Sequence, residues 1–245
     1  MNLELRGVEG LPEIHPGDDL AALIVERSGS LQNGDVVVVA QKVVSKAEGR
    51  IRSLSEVTPS AQSTTLAEKL DADPRMVQVV LDETARIVRD DRVLIVETHQ
   101  GFVCANAGVD RSNVDGADDV CLLPTDCDAS AGALRERIES LTGVQVGVIV
   151  SDTFGRAWRM GLVNVALGVA GMPAVLDYRG RPDDFGIPLQ ATVVAVADEL
   201  AAAAELLMGK TRRVPVVIAR GLDLPEVAAG TGQELVRPSE LDLFR

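Results

Sequence analysis

An aspartate followed by a threonine, Asp152-Thr153, ends the run Val144-Gln-Val-Gly-Val-Ile-Val-Ser151, and Phe154-Gly155-Arg156 follows. The β-branched run reads as a strand, and strand ends in α/β proteins open onto ligand clefts. A carboxylate beside a hydroxyl at such a place can hold a hard divalent cation through oxygen. A second acidic loop, Ala107-Gly-Val-Asp-Arg-Ser-Asn-Val114, follows another strand-like run and offers Asp110 and Asn113. Two such loops suggest a site for metal and phosphate.

Plainer explanations stand beside this one. A strand-terminal Asp is often a helix N-cap, and Thr153 could fill the same role. Magnesium-dependent phosphohydrolases use a strand-terminal Asp as nucleophile, but they show Asp-x-Asp, and here the residue two after Asp152 is Phe154. Arg156 and Arg159 come next and could clamp an anionic substrate or pair with nearby carboxylates. Lys42, Lys46 and Arg50 form a basic cluster after Asp35-Val-Val-Val-Val-Ala40, either a solvated strand extension or cations for terminal phosphates.

Gly209-Lys210-Thr211 looks like the tail of a Walker A loop, but the glycine required five residues earlier is Ala204. The context is also reversed, with a helix before and a strand after. What remains is a glycine helix cap followed by Lys210, Arg212 and Arg213, a basic end that complements a helix dipole or holds phosphate.

The elements that must carry these groups follow from pattern. Leu20, Leu23 and Ile24 share a helical face, with Asp18 as its expected N-cap. Asp35 to Ala40 is a buried strand, and Gln41 to Lys46 continues it or leaves it as a loop. Ser63 to Asp90 reads as helical in two pieces, split at Asp73-Pro74. Arg92 to Glu97 and Gly101 to Ala105 make a hairpin. Ser130 to Leu141 is an amphipathic helix, Val144 to Ser151 a strand, and Gly161 to Ala170 a small-residue helix. Thr192 to Leu207 is an Ala-rich helix and Val214 to Ala219 the last strand, with a loop-like stretch after Gly221. A mixed α+β architecture results.

Composition sets outer limits. The 245 residues are 46% hydrophobic with 2% aromatics, so the core is aliphatic. A net charge of −13 argues against nucleic acid as the main partner, and an anionic ligand needs local cations or metal. No stretch reaches the ~18 apolar residues of a membrane span, and the amino terminus lacks signal-peptide order. No membrane partner and a cytoplasmic location are expected. Cys104, Cys121 and Cys127 lack metal-site spacing and read as buried thiols, and His15 and His99 have no zinc-type partner.

Taken in order, five stretches resemble the coenzyme F420-0:L-glutamate ligases, also called F420 γ-glutamyl ligases. They are Gly10-Leu-Pro-Glu-Ile14, Gly34-Asp-Val-Val-Val-Val-Ala-Gln-Lys-Val-Val-Ser-Lys-Ala-Glu-Gly49, Ala107-Gly-Val-Asp-Arg-Ser-Asn113, Ser151-Asp-Thr-Phe-Gly-Arg-Ala-Trp-Arg159 and Ala197-Asp-Glu-Leu-Ala201. The resemblance runs from near residue 8 to near residue 221 and is nearest the actinobacterial type, some of whose members continue into a flavin-binding nitroreductase-like domain.

The resemblance implies an α+β fold of mixed sheets with packed helices and a two-lobed subunit spanning residues 1–245. It implies GTP-dependent amide formation between coenzyme F420-0 and L-glutamate, through an acyl phosphate. Carried over by motif, Leu11, Pro12, Glu13, Ile14, Lys46 and Asn113 would contact GTP, as would Met208, Gly209, Lys210, Thr211 and Arg212. Asp110, Asp152 and Thr153 would hold two divalent cations, Mg2+ or Mn2+, with a monovalent cation such as K+ as a further expectation. Asp110, Asp152 and Lys46 would be catalytic, and Arg156 and Arg159 would recognise a substrate carboxylate. Family members commonly carry Ser or Thr where this chain has Gln41, so that nucleotide contact departs from the pattern. A homodimer of interlocking subunits is also implied. The other readings are the phosphohydrolase with Asp152 as nucleophile and a non-catalytic nucleotide-binding module.

Overall fold

A computed structural model describes residues 2–114, 116–225 and 229–242. The chain opens with β1 (Glu4–Gly7), α1 (Leu20–Ser28), β2 (Val36–Ala40) and α2 (Gln41–Ala47). Next come β3 (Ile51–Ser53), α3 (Ala61–Leu70), α4 (Pro74–Asp82), β4 (Thr84–Asp91), β5 (Val93–Thr98), β6 (Val103–Ala105) and β7 (Asp119–Cys121). Helix α5 (Cys127–Thr142) precedes the long strands β8 (Gly147–Arg156) and β9 (Arg159–Ala170). The pair β10 (Leu176–Asp177) and β11 (Val193–Val194) closes a projecting hairpin, and α6 (Val196–Met208) and β12 (Val216–Arg220) follow.

The main sheet runs β1-β12-β2-β8-β9, with β2 and β8 parallel and every other pair antiparallel. Val36 to Val39 are buried on both faces, as a β-branched run in a central strand must be. Val37, Val39, Val148 and Val150 pack toward α1 and α5, while Val36, Val38 and Ile149 pack toward α6. A separate core forms between residues 54 and 122, where α3 and α4 meet β5 and β7 around Leu54, Val79, Leu94, Val96 and Val120. Phe102, Leu123, Cys127 and Leu167 form a further small buried cluster. The α+β reading and its mixed sheets are borne out.

Several local expectations need correcting. Gln41 to Lys46 is neither strand nor loop but helix α2, whose turn buries Gln41, Val44, Ser45 and Lys46 on one side. The second helical piece ends at Asp82, and the charged segment to Asp91 is strand β4 because it pairs antiparallel with β5. Gly161 to Ala170 is strand rather than helix, held along its length by β8. Its small residues serve packing: a Cβ on Gly168 would lie 1.9 Å from the Cys127 carbonyl oxygen. The strand carrying Asp152 does not stop there but runs on through Gly155 to Arg156.

Asp19, not Asp18, caps α1 by accepting the Ala22 N–H at 3.0 Å, and Asp18 instead accepts from the His15 N–H. The β5–β6 hairpin, α5, α6 and β12 stand where expected to within a few residues. After Gly221 two short 3-10 turns interrupt the loop, and its parts at 226–228 and 243–245 lie outside the described residues. The three cysteines are free and buried. Among the described residues, no helix is long and apolar enough to cross a membrane.

Candidate active site

The parallel pair β2 and β8 ends at Ala40 opposite Ser151. There β2 turns directly into α2, and β8 runs on paired in the sheet with β9 alone among the described residues. Freed on that edge, Ser151, Asp152 and Thr153 all border one cavity of about 1070 Å³. This is the carboxyl end of parallel strands, where open α/β sheets place ligands. The opposite wall comes from the loop after β6. Asp110 is fixed there by exchanging backbone hydrogen bonds with Cys121, at 3.0 Å and 2.8 Å.

Asp110 and Asp152 therefore share a cavity although Asp152 lies on the main sheet and Asp110 in a loop bridged to β7. Their environments push them in opposite directions. Burial works to raise the Asp110 pKa, but hydrogen bonds from Lys42 and Ser112 outweigh it and hold the group below its ordinary value. Lys42 Nζ stands 2.6 Å from the Asp110 carboxylate and also donates to the Ser112 carbonyl and hydroxyl. Asp152 is pushed up to about 6, first by desolvation and further by the charge of Asp110. The Thr153 backbone N–H, Lys42 and Lys210 offset this only in part. Behind the wall, burial and then the Asp152 charge push the Cys104 thiol up to about 12, so it is inert.

Thr153 sits opposite Asn164 across the β8–β9 ladder. Its hydroxyl donates to Asn164 Oδ1 at 2.6 Å and accepts from Lys210 Nζ at 2.5 Å. Lys210 is also paired with Glu205 at 2.8 Å. Across the cavity Glu13 accepts from Lys46 and lies 3.5 Å from Arg213. The Lys46 hydrogen bond is the main reason the Glu13 pKa falls below its usual value.

Most of the residues expected at the site meet here. Leu11, Pro12, Glu13, Ile14, Gln41, Lys46, Asn113, Met208, Gly209, Lys210 and Thr211 line the same cavity as the two aspartates and Thr153. Gln41 is buried, and its amide nitrogen donates to Ser45 Oγ at 2.6 Å and Leu122 O at 2.9 Å. Both its N–H groups are thus committed to the fold, and only its amide oxygen is left for a ligand. Arg212 turns away to the Leu206 carbonyl, and Arg213 takes its place on the cavity wall. Arg156 and Arg159 face each other near the tip of the β8–β9 hairpin, where Arg156 donates to Met160 O. They are not brought to the cavity. Arg50 is absorbed by Glu83 and the Leu123 carbonyl.

Three polar wall residues were not singled out from the sequence: Asn164, Glu205 and Ser112. Asn164 was hidden because its segment reads as a helix. Drawn as a hairpin about Trp158, the same letters set Asn164 opposite Thr153.

The donor set decides what cation the site suits. Among the described residues, no three His, Cys, Asp or Glu side chains group as a metal site. Asp110, Asp152 and Thr153 supply oxygen only, with two carboxylates, a set that suits a hard divalent cation completed by phosphate oxygens. Burial is the main reason the Asp152 pKa is raised, with the Asp110 charge adding to it and Lys42 and Lys210 opposing it. These residues fit the implied cations.

Comparison with known proteins bears on the chain as a whole. The family model described as F420-0:Gamma-glutamyl ligase matches residues 10–221. The coenzyme F420:L-glutamate ligase of Methanothermobacter thermautotrophicus is 46% identical over 253 residues, covering 100% of both chains. Its counterpart in Archaeoglobus fulgidus is 45% identical, covering 100% of this chain and 97% of its own. That of Methanopyrus kandleri is 48% identical, covering 95% and 94%. These relatives are archaeal and match along nearly their whole length, so they lend nothing to the expected actinobacterial kinship or its extra domain.

Proposed function

The chain belongs to the F420-0:gamma-glutamyl ligase family, and from that premise we propose that it joins L-glutamate to coenzyme F420-0 through an amide bond, using GTP. The observation that carries this reading is the convergence of Asp110 and Asp152 on one cavity ringed by Lys42, Lys46, Lys210 and Arg213. A carboxylate is a poor electrophile toward an amine in neutral water. In the proposed route a carboxylate oxygen of F420-0 attacks the γ-phosphorus, the β–γ bridging bond breaks, and GDP leaves. The glutamate α-amine then attacks the acyl carbon, phosphate departs with the bonding pair, and the amine proton passes to solvent.

Two anions must meet in this reaction inside an acidic protein, so positive charge is the main requirement. Asp110, Asp152 and Thr153 would hold the divalent cations, which when bound neutralise phosphate charge as it builds. Lys46 and Arg213 would exchange Glu13 for phosphate oxygens, and Lys210 would do so from the end of α6. Lys42 keeps Asp110 ionised and aimed at the cavity. Leu11 to Ile14, Asn113 and the 208–211 segment would seat the nucleotide. Arg156 and Arg159 are less well placed for the substrate carboxylate than the cations on the wall. A homodimer belongs to the proposal too: two projecting hairpins expose Met160 (95%), Phe185 (90%) and Trp158 (78%), apolar surface of the kind that marks association.

The test is incubation with GTP, Mn2+, L-glutamate and F420-0, followed by mass spectrometry of the deazaflavin. The expected product is heavier by at least one glutamyl residue, with one phosphate released per amide. Asp152→Ala should abolish that product while leaving the far-ultraviolet spectrum unchanged. Phosphate release independent of glutamate, with a trappable phospho-aspartate, would make this a phosphohydrolase. GTP binding without turnover would leave only a binding module.

A further inference from the structure

Asn164 is 3% exposed and sits on β9 directly opposite Thr153. Among the described residues its amide has two hydrogen-bond partners, the Thr153 hydroxyl at 2.6 Å and Met208 Sδ at 4.0 Å. A thioether sulfur only accepts, so the amide nitrogen must face Met208 and the amide oxygen must face Thr153. That orientation fixes the hydroxyl: Thr153 has one proton, and it goes to Asn164. One of its lone pairs takes the Lys210 N–H at 2.5 Å. A second lone pair remains, and Thr153 lines the cavity that Asp152 and Asp110 share.

We propose that Asn164 is a positioning residue for cation binding: it captures the Thr153 proton so that the hydroxyl oxygen is presented to the cavity as an acceptor. A free threonine hydroxyl rotates and can offer its proton to the cavity instead, which would repel a cation. Asn164 is buried and packed against α6 through Met208, so the orientation is imposed by the fold and needs no ligand to form. Holding a ligating group through its other hydrogen bond is how outer residues tune metal sites. The inference rests on Thr153 being a cation ligand, as proposed above, and adds the residue that aims it.

The test is Mn2+ affinity without nucleotide, read from the free-ion electron paramagnetic resonance signal. Asn164→Leu and Asn164→Ala should each weaken Mn2+ binding by about 10- to 100-fold, the usual cost of losing such a partner. Asn164→Asp keeps the acceptor oxygen and adds a charge that favours cations, so its affinity should stay at or above wild type. In a Thr153→Val background Asn164→Leu should cost nothing more, because the hydroxyl it aims is gone. Unchanged Mn2+ affinity in Asn164→Leu or Asn164→Ala, or a loss of the same size in the Thr153→Val background, overturns the proposal. Loss in Asn164→Asp equal to that in Asn164→Leu overturns it as well, and needs no apolar variant to fold perfectly. If Thr153→Val alone binds Mn2+ normally, the assignment of Thr153 is what fails, and the inference falls with it.

Discussion

Asp152 sits where its charge is resisted, since burial and the neighbouring Asp110 raise its pKa from 3.8 to about 6. A carboxylic acid whose folded pKa lies above its unfolded value favours the folded state at low pH, where it is neutral in both. That contribution is lost as pH rises from 3.8 through about 6. Asp152→Asn should therefore be more stable than wild type at pH 7.5, by about 2 kcal/mol after allowing for cavity water. The advantage should vanish near pH 4. Thermal melts of both proteins across that range check it, and an advantage that does not change with pH would contradict the assignment. In the same window, cation affinity of the wild type should fall as pH drops below about 6, because protonation removes a ligand. At this scale the sequence was informative: Asp110, Asp152 and Thr153 could be picked out by type and context. The partners that set their behaviour, Asn164 and Glu205, could not, because each is a polar residue with no local signal of its own.

Among the elements, β8 and α2 aim the site. The β-branched run before Ser151 was legible as a strand, and its parallel partner β2 likewise. Where the parallel pairing stops could not be read, because it depends on Gln41 starting a helix rather than extending β2. Helical phase then puts Lys42 and Lys46 on neighbouring turns, one reaching Asp110 and the other Glu13. Strand β9 was misread for a related reason: Gly161 and Gly168 look like helix-packing residues, but Gly168 allows α5 to lie close on the sheet while Gly161, at φ +84°, stands beside Arg156 near the hairpin tip. Gly168→Ala should drive a Cβ to 1.9 Å from the Cys127 carbonyl oxygen, on backbone that cannot step aside. A loss of about 3 kcal/mol, or roughly 10 °C in Tm, is expected. Gly180→Ala, on the projecting hairpin with φ +81° and nothing within 4 Å, should cost only about 1 kcal/mol. Equal losses in the two variants would show that the α5–β9 approach is not tight.

Over the whole molecule, the site exists because two hydrophobic cores meet beside the end of a parallel strand pair. Asp110 is anchored through Cys121 to the smaller core, and Asp152 belongs to the main sheet. Composition foretold an aliphatic α+β protein that would need local cations to hold an anion, and the basic ring around the cavity meets that need. The meeting of the two walls could be anticipated only through the resemblance, since it arises from tertiary packing that no local pattern encodes. Its consequence is measurable as linkage between cation and nucleotide. GTP affinity should be measured by calorimetry with and without Mn2+ for the wild type, Asp110→Ala, Asp152→Ala and the double variant. The account predicts that Mn2+ tightens GTP binding in the wild type and that either substitution removes the gain, with the double variant no worse than each single one. A single variant that keeps the full Mn2+ effect on GTP would contradict the claim that these two aspartates act on one cation–triphosphate site.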